Sequence, residues 1–269
     1  MFFKTVFVGL IAGSASFAEE GFTDIFNGKD FAGWYVKIRG EDDTVAKQVF
    51  KVNEQGWIHV FGEPFKDGHE LDTGKNDTHG MIYSKKTYSR FILKFDYKWG
   101  KKRVNNFGKY QYDAGMYYHV YDDRIWPGGV EYQIRYDHLK NKNHTGDFWA
   151  AGKSRFQWYA DKNKHYLSAE DGGELEKMRS GEHLAKAGAS FHGLNDQWNQ
   201  CELIVMGDKF AIHKLNGEIV NVAKDLNVSE GKIGFQSETA EIFYRNIRVK
   251  EFETDLLIEL FLKAPLVDE

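Results

Sequence analysis

The chain of 269 residues holds a single cysteine, Cys201, so no intramolecular disulfide is available and stability must come from packing or a bound ion. Cys201 shares a strand face with Leu203 and Val205, which reads as core rather than nucleophile. No glycine-rich phosphate cradle and no dinucleotide fingerprint follows a strand, so the protein does not itself carry out a cofactor-dependent oxidation. No basic stripe interrupts the mixture of 36 lysines and arginines with 40 aspartates and glutamates. That balance argues against nucleic acid or an anionic membrane as a partner. The ten histidines contain no tight His-x-x-x-His pair, so any metal site must be assembled from separate strands. No proline- or glycine-rich linker divides the chain, which favours one large domain.

Long apolar runs are missing as well. The longest at the start, Thr5 to Ala12, is too short for a permanent membrane span. Flanked by Lys4 and by Ser16-Phe17-Ala18, it reads as a signal peptide over residues 1–18, and no cysteine follows to carry a lipid. A periplasmic or secreted protein with a mature chain from Glu19 is the expectation.

Hydrophobic residues at 42% and aromatics at 16% suffice for a substantial core. Alternation marks many short strands. In Phe91 to Trp99, the residues Phe91, Leu93, Phe95, Tyr97 and Trp99 share one face, with Lys94, Asp96 and Lys98 on the other. Similar segments are Val49 to Val52, Trp57 to Phe61, Met81 to Ser84, Ala114 to Tyr121, Val130 to Tyr136, Trp198 to Met206, Lys209 to Leu215, Glu218 to Val222, Gly231 to Gln236 and Ile242 to Phe252. Gly207-Asp208 and Asn216-Gly217 lie at hairpin positions, and Gly21 to Trp34 reads as an edge hairpin around Asn27-Gly28. The pattern predicts an all-β jelly-roll sandwich over residues 19–253. Residues 140–195 form a long insertion with a helix expected over Glu174 to Lys186. The tail, residues 254–269, carries Leu256, Leu257, Leu260 and Phe261 at helical spacing and is expected to dock on the domain as a short C-terminal amphipathic helix.

Several strand faces carry polar groups suited to chemistry. On Val130 to Tyr136, Glu131, Gln133 and Arg135 point one way and Tyr132, Ile134 and Tyr136 the other. His119 falls on the alternation of Gly115 and Tyr117, as a proton shuttle or metal ligand, or as a structural histidine. Asp147 and Trp149 place a carboxylate beside an aromatic plate, a pairing that suits a sugar ring, although Trp149 is equally compatible with the core. Gln236 and Glu238 form a second acceptor pair late in the chain. Arg245 either orients a carboxylate or makes a plain salt bridge.

Four segments together resemble a known family. They are Gly21-Phe-Thr-Asp-Ile-Phe-Asn-Gly-Lys-Asp-Phe-Ala-Gly-Trp34, Asp113-Ala-Gly-Met-Tyr-Tyr-His119 with Trp126-Pro-Gly-Gly-Val-Glu-Tyr-Gln-Ile134, Gly146-Asp-Phe-Trp149, and the run from Trp198 through Gly231-Lys-Ile-Gly-Phe-Gln-Ser-Glu238 to Ile247. The chain is similar to the 3-keto-disaccharide hydrolase domain, a concanavalin-like jelly roll. The resemblance implies a substrate whose C3 hydroxyl a partner sugar 3-dehydrogenase has oxidised to a ketone. Such a ketone acidifies C2–H, and removal of that proton expels the C1 substituent. The route needs a base near C2, an electrophile near the C3 oxygen and an acid near the leaving oxygen.

Under that resemblance Glu131 is the candidate base, or a ligand to a divalent metal ion, with His119 as second catalytic or metal candidate. Gln133, Asp147, Trp149, Gln236 and Glu238 are candidate substrate contacts. The Glu131-Tyr-Gln133 spacing lacks the second acid that double displacement requires. An ordinary glycoside hydrolase and a non-catalytic carbohydrate-binding module are the alternatives, since this fold serves lectins equally well.

Overall fold

The computed structural model describes residues 21–40, 42–71, 75–105 and 112–262. The expected leader, residues 1–18, lies outside the described residues. In the first part of the chain β1 (Thr23–Asp24), β2 (Trp34–Ile38), α1 (Asp43–Val49), β3 (Phe50–Val52) and β4 (Ile58–Val60) precede two long strands, β5 (Gly80–Tyr88) and β6 (Arg90–Arg103). The middle holds β7 (Tyr112–Val120), β8 (Gly129–Asp137), β9 (Lys142–Asn143), β10 (Phe148–Ala151), β11 (Gln157–Ala160), β12 (Glu174–Leu175) and β13 (Gly181–His183). The last part runs through β14 (Asn199–Met206), β15 (Phe210–Leu215), β16 (Glu218–Lys224), β17 (Gly231–Ser237), β18 (Ala240–Glu251) and α2 (Glu259–Leu262).

These strands make two antiparallel sheets packed face to face, with a short C-terminal helix. The larger sheet has the order β12-β11-β16-β15-β14-β6-β18-β4-β3, with β1 beside β18, and the smaller β13-β10-β8-β7-β17-β5-β2, with β9 beside β8. Alternation decides which side chains fill the space between them. From the larger sheet come Leu93, Phe95, Tyr97, Leu203 and Val205, and from the smaller Val130, Tyr132, Ile134, Met116 and Phe235. Cys201 is buried in the same core, and burial pushes its thiol well above its ordinary value.

Because the core takes every second residue, the outward faces are left for other work. On the larger sheet the outward side chains of Ile204, Met206, Phe210 and Ile212 are covered by Phe252, Leu256, Ile258 and Phe261 of the tail. The tail therefore docks as expected, although its helix spans only Glu259–Leu262, and residues 263–269 lie outside the described residues.

Three local expectations need correction. Gly21 to Trp34 is not a hairpin: β1 pairs with β18 in one sheet, while Trp34 opens β2 in the other. The helix expected over Glu174 to Lys186 is absent; β12 and β13 stand there, paired with β11 and β10, and Gly181 at φ 91° occupies a conformation no helix uses. Conversely α1 arises where no helix was expected. Its cap is Asp42, whose carboxylate accepts from the backbone N–H of Thr44 (2.8 Å) and Val45 (3.2 Å), with Ala46 and Val49 on the buried side.

Candidate functional site

The outward face of the smaller sheet is built rung by rung from β7 and β8. Asp113 stands opposite Arg135, Gly115 opposite Gln133 and Tyr117 opposite Glu131. On the far side of β8, Trp149 of β10 stands opposite Glu131, and Glu182 of β13 opposite Trp149. Gly115 makes room for the carboxylate beside it. A Cβ there would lie 1.9 Å from Glu131 Oε1. Gln133 is anchored through its amide, which donates to Asp113 Oδ1 at 2.6 Å and to the carbonyl of Ala114 at 3.1 Å.

Five of the residues singled out in the sequence meet on this face. Glu131, Gln133, Asp147, Gln236 and Glu238 are all buried beside it, Glu131 being only 4% exposed. Trp149, at 39% exposure, faces outward rather than into the core. Burial dominates the electrostatics, since it disfavours the charged form of each acid. It pushes Glu131 up to about 8, with the neighbouring Asp113 adding to the rise, while a hydrogen bond from the Tyr117 hydroxyl works against it. Asp113 is raised to about 8 by the same burial, opposed by the Arg135 charge. Glu238 is driven well above the usual carboxylate range, by burial first and then by Asp113 and Glu131.

His119 does not join them. Between β7 and β17 the pairing slips, with Lys232 opposite Val120 but Gly234 opposite Tyr117, so two residues of β7 face one of β17. This bulge holds His119 at φ 49° and breaks the alternation on which its placement beside Gly115 and Tyr117 rested. The ring is fully buried near Phe91 and Tyr118, its Nε2 3.4 Å from the carbonyl of Ser89. Burial lowers it to about 4, so it is neutral. Neither a catalytic nor a metal-binding part beside Glu131 follows from this position. Arg245 likewise belongs elsewhere: it pairs with Asp96 of the larger sheet at 3.0 Å.

The group that could hold a metal ion is a different one: His144, Asp147 and Glu182, whose ligand atoms all lie within 4.8 Å of one another. It is not assembled from separate strands as expected: His144 and Asp147 share the loop between β9 and β10, and only Glu182 comes from a strand, β13. A cation already stands among these ligands. Arg135 Nη2 lies 2.9 Å from His144 Nδ1 and 4.0 Å from Asp147 Oδ2, and it donates to Glu182 Oε1. A metal ion would have to displace the guanidinium. Asp147 has a second duty, accepting from the backbone N–H of Ala185 at 2.6 Å and so tying the insertion to the sheet.

On the other flank, the connection between β7 and β8 folds back over the outward face. Tyr83 donates to the carbonyl of Arg124, and Asp123 accepts from the Tyr35 hydroxyl at 2.9 Å and pairs with Lys37 at 3.1 Å. This carries Trp126 onto His79, ring centroids 4.1 Å apart, with the Arg39 guanidinium 4.6 Å from the Trp126 ring. Trp126 remains 41% exposed. His79 Nε2 meets the Gln236 amide at 3.3 Å, and burial lowers His79 to about 3, so it is a neutral partner. Asp113, Tyr117, His79, Trp126 and Glu182 were not singled out from the sequence. For Asp113 and Tyr117 the signal was present, since both share the strand face of Gly115. His79, Trp126 and Glu182 come from loops and short strands whose placement has no local signature.

A family model for the 3-keto-alpha-glucoside-1,2-lyase-like domain matches residues 21–250. No curated protein matches the chain. Among solved structures, the chain is similar to a provisionally assigned glycosyl hydrolase from Parabacteroides distasonis ATCC 8503, at 22% identity and TM-score 0.49, with 87% of this chain and 95% of that one covered. It is also similar to the carbohydrate binding module CBM66 from Bacillus subtilis (13% identity, TM-score 0.46, coverage 82% and 98%). The β-glucanase of Bacillus licheniformis is similar at 11% identity and TM-score 0.47, with coverage 86% and 97%.

Proposed function

Because the chain belongs to the 3-keto-alpha-glucoside-1,2-lyase-like family, we propose that it cleaves 3-keto-glycosides by elimination across C1 and C2. The observation that carries the reading is the gathering of Glu131, Asp113 and Glu238 around one face with Arg135 among them. Their environments separate their roles. Glu131, at about 8, is a stronger base when ionised than an exposed carboxylate, and suits a proton as reluctant as C2–H. Glu238, driven well above that range, keeps its proton and serves as the acid.

In the proposed step the Glu131 carboxylate takes the C2 proton, and the electron pair delocalises onto the C3 oxygen as an enolate. The positive charge of Arg135 favours that oxyanion through a low-dielectric site. Collapse of the enolate forms the C1–C2 double bond and breaks the C1–O bond, and the departing oxygen takes the Glu238 proton. Water adding across the double bond would complete a net hydrolysis. Trp149, exposed beside Glu131, offers an apolar plate for the sugar ring. A metal ion held by His144, Asp147 and Glu182 would take the place of the Arg135 guanidinium there and supply Lewis acidity instead of its positive charge.

The substrate must be supplied by an enzyme that oxidises the C3 hydroxyl, a sugar 3-dehydrogenase. The leader pattern over residues 1–18 supports export to the periplasm or medium. Among the described residues no helix is long and apolar enough to cross a membrane.

The test is incubation with a 3-keto-disaccharide and its unoxidised parent in D2O, followed by NMR. Loss of the keto substrate, with exchange at C2, is expected, and the parent should remain intact. Cleavage of the parent would sink the elimination, and binding without turnover would leave a carbohydrate-binding module.

A further inference from the structure

The acidic face has an exposed tryptophan on each flank, and the two carboxyl groups given the parts of base and acid stand at different ones. Trp149 of β10 is opposite Glu131 of β8. Trp126 lies on His79 at the other flank. The register of β17 with β5 puts Glu238 there too. Ser237 pairs with Gly80, so Glu238 and His79 are the next residues along the two chains, and the Gln236 amide meets His79 Nε2 at 3.3 Å. The edge strand β2 closes this flank: the backbone N–H of Arg39 donates to the carbonyl of His79 at 2.8 Å.

From β10 to β5 the sheet crosses β8, β7 and β17, four strand spacings or roughly 19 Å. A single pyranose ring resting on Trp149 over Glu131 fills only part of that width. The far flank is furnished for a second ring that carries hydroxyls. Trp126 offers exposed apolar surface, and the Arg39 guanidinium, 4.6 Å from its ring and itself exposed, makes no ion pair among the described residues. Its N–H donors are therefore available to hydroxyl oxygens beside an aromatic plate. Elimination gives the two flanks different work, since the base must reach C2 of the oxidised ring and the acid must reach the oxygen departing from C1.

We propose that the leaving group is itself a sugar ring, held against Trp126 with its hydroxyls on Arg39, while the oxidised ring lies against Trp149. Trp126 and Arg39 are then the residues that select the leaving group. This orientation rests on the elimination proposed above, with Glu131 as base and Glu238 as acid.

The experiment compares 3-keto-maltose, oxidised in its non-reducing ring, with methyl 3-keto-α-glucoside, which keeps the oxidised ring and lacks the second one. The readout is kcat/KM on each for the native chain, Trp126→Ala, Arg39→Gln and Trp149→Ala. Trp126→Ala should cost the disaccharide about tenfold more than the methyl glycoside, and Arg39→Gln about fivefold more. Trp149→Ala should lower both by the same factor, because both contain the oxidised ring. A merely structural part for Trp126 would lower both substrates alike and overturns the proposal. The reverse pattern, in which Trp149→Ala singles out the disaccharide, overturns it as well. Arg39→Gln, a change at an exposed position, decides the matter by the same ratio should Trp126→Ala prove poorly folded. A native chain that turns over neither keto substrate overturns the elimination and the orientation with it, whereas turnover of both with unchanged ratios in the variants removes the orientation alone.

Discussion

Replacing Gly115 by alanine tests the site without altering any reacting group. The glycine has no left-handed backbone that would itself exclude a side chain, so only the space decides. The new Cβ would lie 1.9 Å from Glu131 Oε1, 2.7 Å from Cδ and 2.9 Å from Cγ. To reach ordinary contact the carboxylate must retreat by roughly 1.5 Å. Glu131 is buried and Tyr117 stands on the opposing rung, so the retreat cannot be a free swing into solvent. A displacement of that order costs about a hundredfold in rate when the group is the base, or about 2.7 kcal/mol of transition-state stabilisation. Overpacking should cost about 1–3 kcal/mol of stability. The assay is kcat/KM on a 3-keto-glycoside, with a thermal melt to confirm that the variant is folded. Glu131→Asp in the Gly115→Ala background shortens the acid by one methylene and should restore part of the loss. A folded Gly115→Ala variant with native kcat/KM would refute the assignment of Glu131 as base, because no base survives such a shift unharmed.

Three further outcomes are expected. The rate should rise with pH towards an apparent pKa near 8, because Glu131 must be ionised; the value belongs to the coupled Glu131 and Asp113 cluster, and a rate independent of pH from 6 to 9 would argue against it. Stability should move the other way. The native chain keeps protons at Glu131 that the unfolded chain releases above 4.5, so the melting temperature should fall as pH climbs from about 4.5 to about 8, and Glu131→Gln should lessen that fall in calorimetry. Added Zn2+ should stabilise Arg135→Gln more than the native chain, since the substitution removes the cation standing among His144, Asp147 and Glu182; an equal shift in both melts would show that the guanidinium is no obstacle.

The sandwich was legible because period-two alternation is a local property, and β6, β7, β8, β14 and β18 all display it. The polar rung of Glu131 and Gln133 followed from the same rule. His119 shows where that rule ends. Its face depends on a bulge set by the pairing of β7 with β17, more than a hundred residues downstream, and nothing within Ala114 to Tyr121 announces it. The segment around Asn27-Gly28 misled for a related reason: its residues suit a turn, but the chain uses that turn to pass from one sheet to the other. In the insertion, the pairing of β12 and β13 overrode helical spacing. The Arg135 cluster was hidden because its members come from three separate segments and meet only through tertiary structure.

The strand order also governs when this protein can exist. β17 lies between β7 and β5, and β18 between β6 and β4, so each sheet receives one of its inner strands from the last 39 residues of the chain. Until Glu251 has been made, both sheets are split, with four raw edges and the core between them open to water. The pairings that close the two sheets are deferred until β17 and β18 exist, and β18 must then join β4 and β1, separated from it by most of the sequence. A chain halted before Gly231 has the strands for the β6-β14-β15-β16 and β7-β8-β10 pairings, but both sheets stay split and the acidic face lacks Gln236 and Glu238 until the last two strands are made.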